Sequence, residues 1–302
     1  TVLKGQQANT AYVPGFTANH VVDFALSSQT SSSSNVTGTR LLGDTFLVTE
    51  GNDAETANNV TRTKGYQNGF FFTGGGADST RFAWMWARAR GYFDVVAYSG
   101  TGSARTVGHN LGVVPEMMWI KRRDSTGSWN VYHKGLNGGT NPEQHVIYLE
   151  ATEASNSGGS AVFNNTAPTS SVFTVNTNSG VNNSSGTYIA YLFATVAGVS
   201  KVGSYTANGS AQNIDCGFSG GNGARFVLIK RTDNNGHWFL FDTARGLVSG
   251  NDPNLQLNET NAQETTYDHI DPLEAGFTVA VYGDDSPYVN INGATYIFYA
   301  IA

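Results

Sequence analysis

With 302 residues and 39% hydrophobic side chains, the chain carries enough apolar material for two or three buried cores, which excludes a disordered polypeptide. Charged residues make up only 13%, while glycine reaches 36 residues and aromatics 12%, the profile of short strands joined by many turns. A formal charge of −6, with no basic run longer than Lys121-Arg122-Arg123, excludes a nucleic-acid partner, and no apolar run approaches the roughly 20 residues of a membrane-spanning helix, so no membrane insertion is expected. Cys216 is the single cysteine, so neither an internal disulfide nor a cysteine metal site is expected. The chain opens on Thr1, and Thr1 to Gln7 lacks both the basic start and the apolar stretch of a signal peptide, which predicts a missing N-terminal part.

In chain order, the first strand-forming stretch is Val21 to Leu26, and Gly74 to Gly76 reads as a turn before a strand from Thr80 to Ala87. That strand returns as Thr187 to Ala194 and again as Thr295 to Ala302. Other landmarks recur in the same order. Tyr98-Ser-Gly-Thr-Gly-Ser-Ala104 matches Tyr205-Thr-Ala-Asn-Gly-Ser-Ala211, and Ile120-Lys-Arg-Arg-Asp-Ser-Thr-Gly-Ser-Trp129 matches Ile229-Lys-Arg-Thr-Asp-Asn-Asn-Gly-His-Trp238. Gly135-Leu136 answers Gly246-Leu247, Phe173-Thr-Val175 answers Phe277-Thr-Val279, and the first copy carries Gly15-Phe16 and Gly69-Phe70. Three tandem copies follow, at 1–92 (diverged and shortened), 93–199 and 200–302.

Within a copy the spacing has a period of two. Ala224 to Arg231 reads as a buried strand, Asp233 to Gly236 as a turn and His237 to Asp242 as the return strand, with Asp124 to Gly127 repeating that turn. Leu255 to Leu257, Phe277 to Tyr282 and Ala294 to Ile301 add strands, and no long stretch has helical spacing. The fold class is all-β: three antiparallel β-sandwich, jelly-roll-like repeats.

The recurring Tyr-(Ser/Thr)-x-x-Gly-Ser-Ala, Ile-Lys-Arg-x-Asp-x-x-Gly-x-Trp, Gly-Phe-Thr-Val and Thr-Tyr-Ile elements resemble a repeated β-domain of bacteriophage virion structural proteins, especially of marine tailed phages, often found beside laminin-G-like jelly rolls. The resemblance is strong over 95–302 and weak over 1–87. It implies a virion location after assembly in the host cytoplasm and a non-enzymatic role as tail fibre or tail-associated adhesin. The implied partners are other virion subunits, a homo-oligomer such as a trimer, and a host surface glycan. The alternatives are a capsid or tail decoration protein without host ligand, and a polysaccharide depolymerase.

The sequence offers no nucleophile elbow, no P-loop and no zinc motif, so no catalytic residue, cofactor or metal is assigned. Asn251-Asp252 and Asp284-Asp285 lack calcium-loop spacing and read as solvated loop acids. Lys121 and Lys230 close apolar strands just before turns and read as solvating charges at strand ends. Trp129 and Trp238 recur at one hairpin position, which predicts core packing rather than a sugar-stacking platform. The binding candidates are the polar hairpin-tip residues Asp124, Ser125 and Thr126, with Asp233, Asn234 and Asn235. Asn-x-Ser/Thr triplets, Asn59 among them, are expected from composition alone.

Overall fold

A computed structural model describes residues 2–4, 16–17, 20–57, 69–70, 80–221, 223–281 and 288–302, with the backbone alone at 2–4, 16–17 and 69–70. The predictions at Thr1, Gly15, Asn59, Gly74 to Gly76, Tyr282 and Asp284-Asp285 lie outside the described residues. Among the described residues the chain is all-β, built from antiparallel sheets. Two one-turn helices, Gly159–Phe163 and Ser179–Asn182, interrupt it. They are too short to leave a helical period in the sequence.

Three large sheets dominate. The first runs in the order Val2–Lys4, Arg81–Trp86, Phe24–Gln29, Val36–Thr39, Thr45–Val48 and Thr56–Ala57. The second places Phe93–Ser99 beside Thr187–Phe193, Met117–Arg122, Asn130–His133 and Ile147–Tyr148. The third places Ser200–Thr206 beside Thr295–Ile301, Phe226–Arg231, Trp238–Asp242 and Asn254–Gln256. Read from the opening strand, the second and third sheets have one order: opening strand, closing strand, then the predicted hairpin, then an edge strand; the first begins in the same way but carries two strands beyond its hairpin. Arg105–Gly108 with Val172–Val175, and Gln212–Asp215 with Gly276–Val279 and Ile270–Leu273, form smaller second sheets. The first segment has the counterpart pair Phe16–Thr17 with Gly69–Phe70.

The strand read as buried at 224–231 is buried, but the period of two does not hold for the hairpin strands, which are covered on both faces. Met117–Arg122 and Phe226–Arg231 are buried over their first five residues, and Thr187–Phe193 over its last six. One face of each large sheet covers its own segment's outer core: Met118 and Ile120 with Phe173 in the second, Val227 and Ile229 with Phe277 in the third. The opposite face turns inward to a single core shared by all three sheets. Phe24, Leu26, Trp84 and Trp86 of the first meet Trp119, Tyr191 and Phe193 of the second and Phe226, Leu228 and Tyr299 of the third there. Ring centroids of Phe24 and Tyr191 lie 4.5 Å apart, those of Trp86 and Phe226 5.6 Å, and those of Phe193 and Tyr299 5.1 Å. A strand covered on both sides reads as a near-continuous apolar run rather than an alternation, as Met117-Met-Trp-Ile120 and Phe226-Val-Leu-Ile229 do.

All five tryptophans are buried, at 0 to 3% exposed. Trp129 and Trp238 pack as expected, but into the shared core and not against the opposite sheet of their own segment. Trp238→Ala is expected to cost about 3–5 kcal/mol. Because its ring sits in the common core, the whole chain should lose structure in one transition, followed by urea unfolding with far-UV circular dichroism and tryptophan fluorescence. Selective melting of the third segment, with the other two left folded, would contradict this packing.

Candidate functional site

The large sheets share one polarity. The connections through residues 87–92 and 194–199 lie at one end of the shared core, and the turns at 30–34, 124–127 and 233–236 lie at the other. At the turn end the segments interlock through a contact made three times. Gly127 N–H donates to Asn52 O while Glu55 N–H donates to Arg123 O. Gly236 N–H and Ser155 N–H make the corresponding bonds to Thr152 O and Thr232 O. Ser33 N–H and Gln263 N–H close the set, to Thr260 O and Thr30 O. Each segment thus grips the one before it, and the first grips the third.

Side chains repeat the pattern. The Trp129 indole N–H donates to Val48 O and that of Trp238 to Tyr148 O, both at 2.9 Å. Asn35 holds the same place in the first segment, its Nδ2 donating to Gln256 O at 3.1 Å. Its backbone N–H, like those of Trp129 and Trp238, is taken by a side chain of its own segment, Glu50, Glu150 and Asn258 respectively, and each of these stands two residues past the carbonyl that accepts the following segment's side-chain N–H.

The expectation that Lys121 and Lys230 are solvated is overturned. Both are 0% exposed. Lys230 Nζ donates to Thr152 O at 2.8 Å, Glu153 O at 3.1 Å and Gly236 O at 2.6 Å, and Lys121 Nζ donates to Asn52 O, Asp53 O and Arg122 O. Three carbonyls take the three ammonium protons. Burial pushes the Lys121 amine down to about 8 and the Lys230 amine to about 7. These lysines are pegs across the seams. The neighbouring Arg122 and Arg231 behave differently and reach the tips: Arg122 pairs with Asp124 and Arg231 with Asp233, at 3.0 and 2.9 Å.

Asp252 also departs from the sequence reading. It is fully buried, its carboxylate accepts from the N–H groups of Val248, His269 and Ile270, and burial pushes it up to about 7. It staples two loops. His133 is fully buried too: its Nδ1 accepts from Gly135 N–H, so Nε2 carries the proton and donates to Phe298 O of the third segment at 3.3 Å. Burial pushes His133 down to about 4, and His269 likewise. Cys216 is buried, with its thiol pushed up to about 12, which leaves it unreactive. Among the described residues no group of three His, Cys, Asp or Glu side chains is placed to hold a metal ion.

The six tip candidates divide by role. Asp124 and Asp233 are occupied: besides its arginine, each accepts a backbone N–H at the start of the closing strand, from Thr187 and Thr295. The Arg122 hydrogen bond holds Asp124 down to about 2, and that of Arg231 lowers Asp233. Asn234 Oδ1 accepts from Asn235 N–H. Thr126 and Asn235 are exposed and Ser125 is half-buried, and these side chains are available to a partner. Sequence reasoning missed the residues beside the second tip, Asn130, Tyr148 and Asn178, which come from an inner strand, an edge strand and a loop far apart in the chain.

A family model described as a domain of unknown function (DUF7483) matches residues 16–302, a span that takes in all three segments. No curated protein matches the chain, and no solved structure does.

Two outcomes test the seams. Lys230→Met removes the donor from three buried carbonyls and should cost about 1–3 kcal/mol in urea unfolding, whereas a solvated strand-end lysine would cost under about 0.5. For His133 the sign follows from its depressed value: between about pH 6.5 and 4 the unfolded chain takes up a proton that the folded chain refuses, so stability falls as pH falls. The contribution is ~1.4 kcal/mol per pH unit. Unfolding free energies measured across that window should fall less steeply for His133→Gln, by about one proton's worth.

Proposed function

Because the chain belongs to the DUF7483 family, a domain of unknown function, its role has to be read from its architecture, and we propose that it is a non-enzymatic structural component of a bacteriophage virion, a tail fibre or tail-associated adhesin. In this reading it consists of three copies of one β-sandwich domain, at 1–92, 93–199 and 200–302, closed into a ring. The observation that carries it is the polarity of that ring, with inter-segment connections at one end and three polar turns at the other. A rigid scaffold that presents several loops in one direction is suited to contact with a surface. Three loops acting together also raise avidity without any one of them binding tightly.

The non-enzymatic part rests on where the chemically capable side chains are spent. Lys121 and Lys230 hold seams, Asp252 staples loops, and His133 is held neutral between segments. The adhesin part rests on the tips, whose free polar side chains include Thr126 and Asn235. Its partners are other virion subunits at the connection end and a host surface glycan at the turn end. Further copies of the same chain, as in a trimer, are among those subunits.

The reading is tested with labelled protein and particles that carry it. Attachment to host cells should be lost when all three turns are replaced, while Ser125→Ala or Asn234→Ala should leave stability within about 0.5 kcal/mol. Density confined to the capsid lattice, with no cell attachment, would instead identify a decoration protein. A rise in reducing ends on incubation with host polysaccharide would identify a depolymerase.

A further inference from the structure

Beside the second turn lies a cleft of about 190 Å³ lined by Thr126, Ser128, Asn130, Tyr148, Asn178 and Ser179, with Gly127 and Gly180 between its walls. Three parts of the second segment build it: the hairpin, the edge strand and the start of the one-turn helix Ser179–Asn182 ahead of the closing strand. The glycines permit the close approach, since a Cβ on Gly127 would lie 3.9 Å from Gly180 Cα and one on Gly180 only 2.9 Å from Asn130 Nδ2. Its walls are held from outside. Tyr148 O accepts the Trp238 indole of the third segment, Asn130 Nδ2 donates to Ser128 O, and Asn178 Oδ1 is occupied by Gly180 N–H.

The chemistry of the lining is narrow. It offers hydroxyls, amides and one aromatic ring, and no charged side chain. Of the charged groups beside it, Arg122 pairs with Asp124, and the Glu150 carboxyl, bonded to the Ser128 side chain and the Trp129 N–H, is pushed up by burial. No described residue bonds the Tyr148 hydroxyl, and the side chains of Thr126 and Ser179 are likewise without a protein partner. The volume is below the ~300 Å³ at which pockets begin to enclose drug-sized ligands, so a single small polar ring is accommodated rather than a long chain. The third segment lacks this lining. Its hairpin has Phe239 where the second has Asn130, and that ring packs on Tyr288 and His269.

The geometry points to this cleft as a binding site for an uncharged saccharide residue, such as the end of a neutral glycan, with Tyr148 and Thr126 contacting its hydroxyls. The inference deepens the attachment reading at one of its three turns and takes its ligand class from the lining alone. Its test is the full chain on an array of immobilised neutral oligosaccharides of glucose, galactose, mannose and N-acetylglucosamine, with sialylated and uronate-containing glycans as counter-probes, followed by titration of the best neutral glycan. The chain should bind a neutral glycan. Tyr148→Phe, which removes one hydroxyl and keeps the ring, should weaken binding about five- to tenfold, and Thr126→Trp, at an exposed tip, should abolish it with the unfolding midpoint unchanged.

Absence of binding to every neutral glycan, a preference for the acidic ones, or binding indifferent to both variants would overturn the inference. The two readings fail separately. Cell attachment that survives both variants overturns the cleft and leaves the adhesin standing, whereas glycan binding lost in the variants without any cell attachment supports the cleft and overturns the adhesin.

Discussion

Everything in this fold depends on the inward faces of the three large sheets covering one another. A sheet in a two-layer sandwich can leave its second face to water, but here the second faces carry Trp84, Trp86, Trp119, Tyr191, Phe193, Phe226 and Tyr299. Exposing them would uncover large aromatic surface at about 25 cal/mol for each Å². No single segment can satisfy its own sheet. The seams then fix how the faces meet: backbone N–H groups are exchanged in both directions, while a side-chain N–H runs one way, from each segment to the one before it, a head-to-tail contact. Such contacts form a closed ring only if the rotation returns to the start, and here it does so after three.

The positions where this threefold pattern breaks separate scaffold from candidate site. Lys121 and Lys230 have Ser28 as their counterpart in register, and Trp129 and Trp238 have Asn35, yet Asn35 still delivers a side-chain N–H to the expected carbonyl. Where the scaffold needs a donor, it is kept even though the residue type changes. At the second turn the opposite holds: Asn130 and Tyr148 open a polar cleft where the third segment has packed Phe239. Divergence that the scaffold does not require is what a binding function would use.

The hairpins at 117–133 and 226–242 were legible in the sequence because their signals are local: an Asp at the start of the turn, a Gly at its end and a tryptophan entering the return strand. Their surroundings were not, because the partner groups are remote in sequence. Lys230 looks like a strand-end charge until Thr152 and Glu153 of another segment are placed over it. The available signal was the absence of alternation in Phe226-Val-Leu-Ile229 ahead of it, since a strand with no polar face has no solvent face either. Asp252 was misread for a related reason: the three N–H groups that justify burying it belong to residues 248, 269 and 270. The turns at 124–127 and 233–236 do connect the hairpin strands, but the Arg–x–Asp spacing that occupies Asp124 and Asp233 was visible and carried more information than their exposure did.

Ring closure concentrates the most distant contacts at one seam. Among the described residues no buried lysine stands between the first and third segments, and a different device stands near the connection end. The Trp84 indole donates to Asp242 at 3.3 Å, and Arg245, its side chain fully buried, binds the same carboxylate while its guanidinium lies 5.4 Å from the Trp84 ring. Trp84 and Asp242 are 158 residues apart in the chain. Joining them carries a large loop-closure cost unless the second segment already stands between them, with its own seam to the first made through Trp129 and its seam to the third through Trp238. The two adjacent seams therefore shorten the effective separation of the third, and the buried Asp242–Arg245 pair completes a core that neither neighbouring seam could close alone.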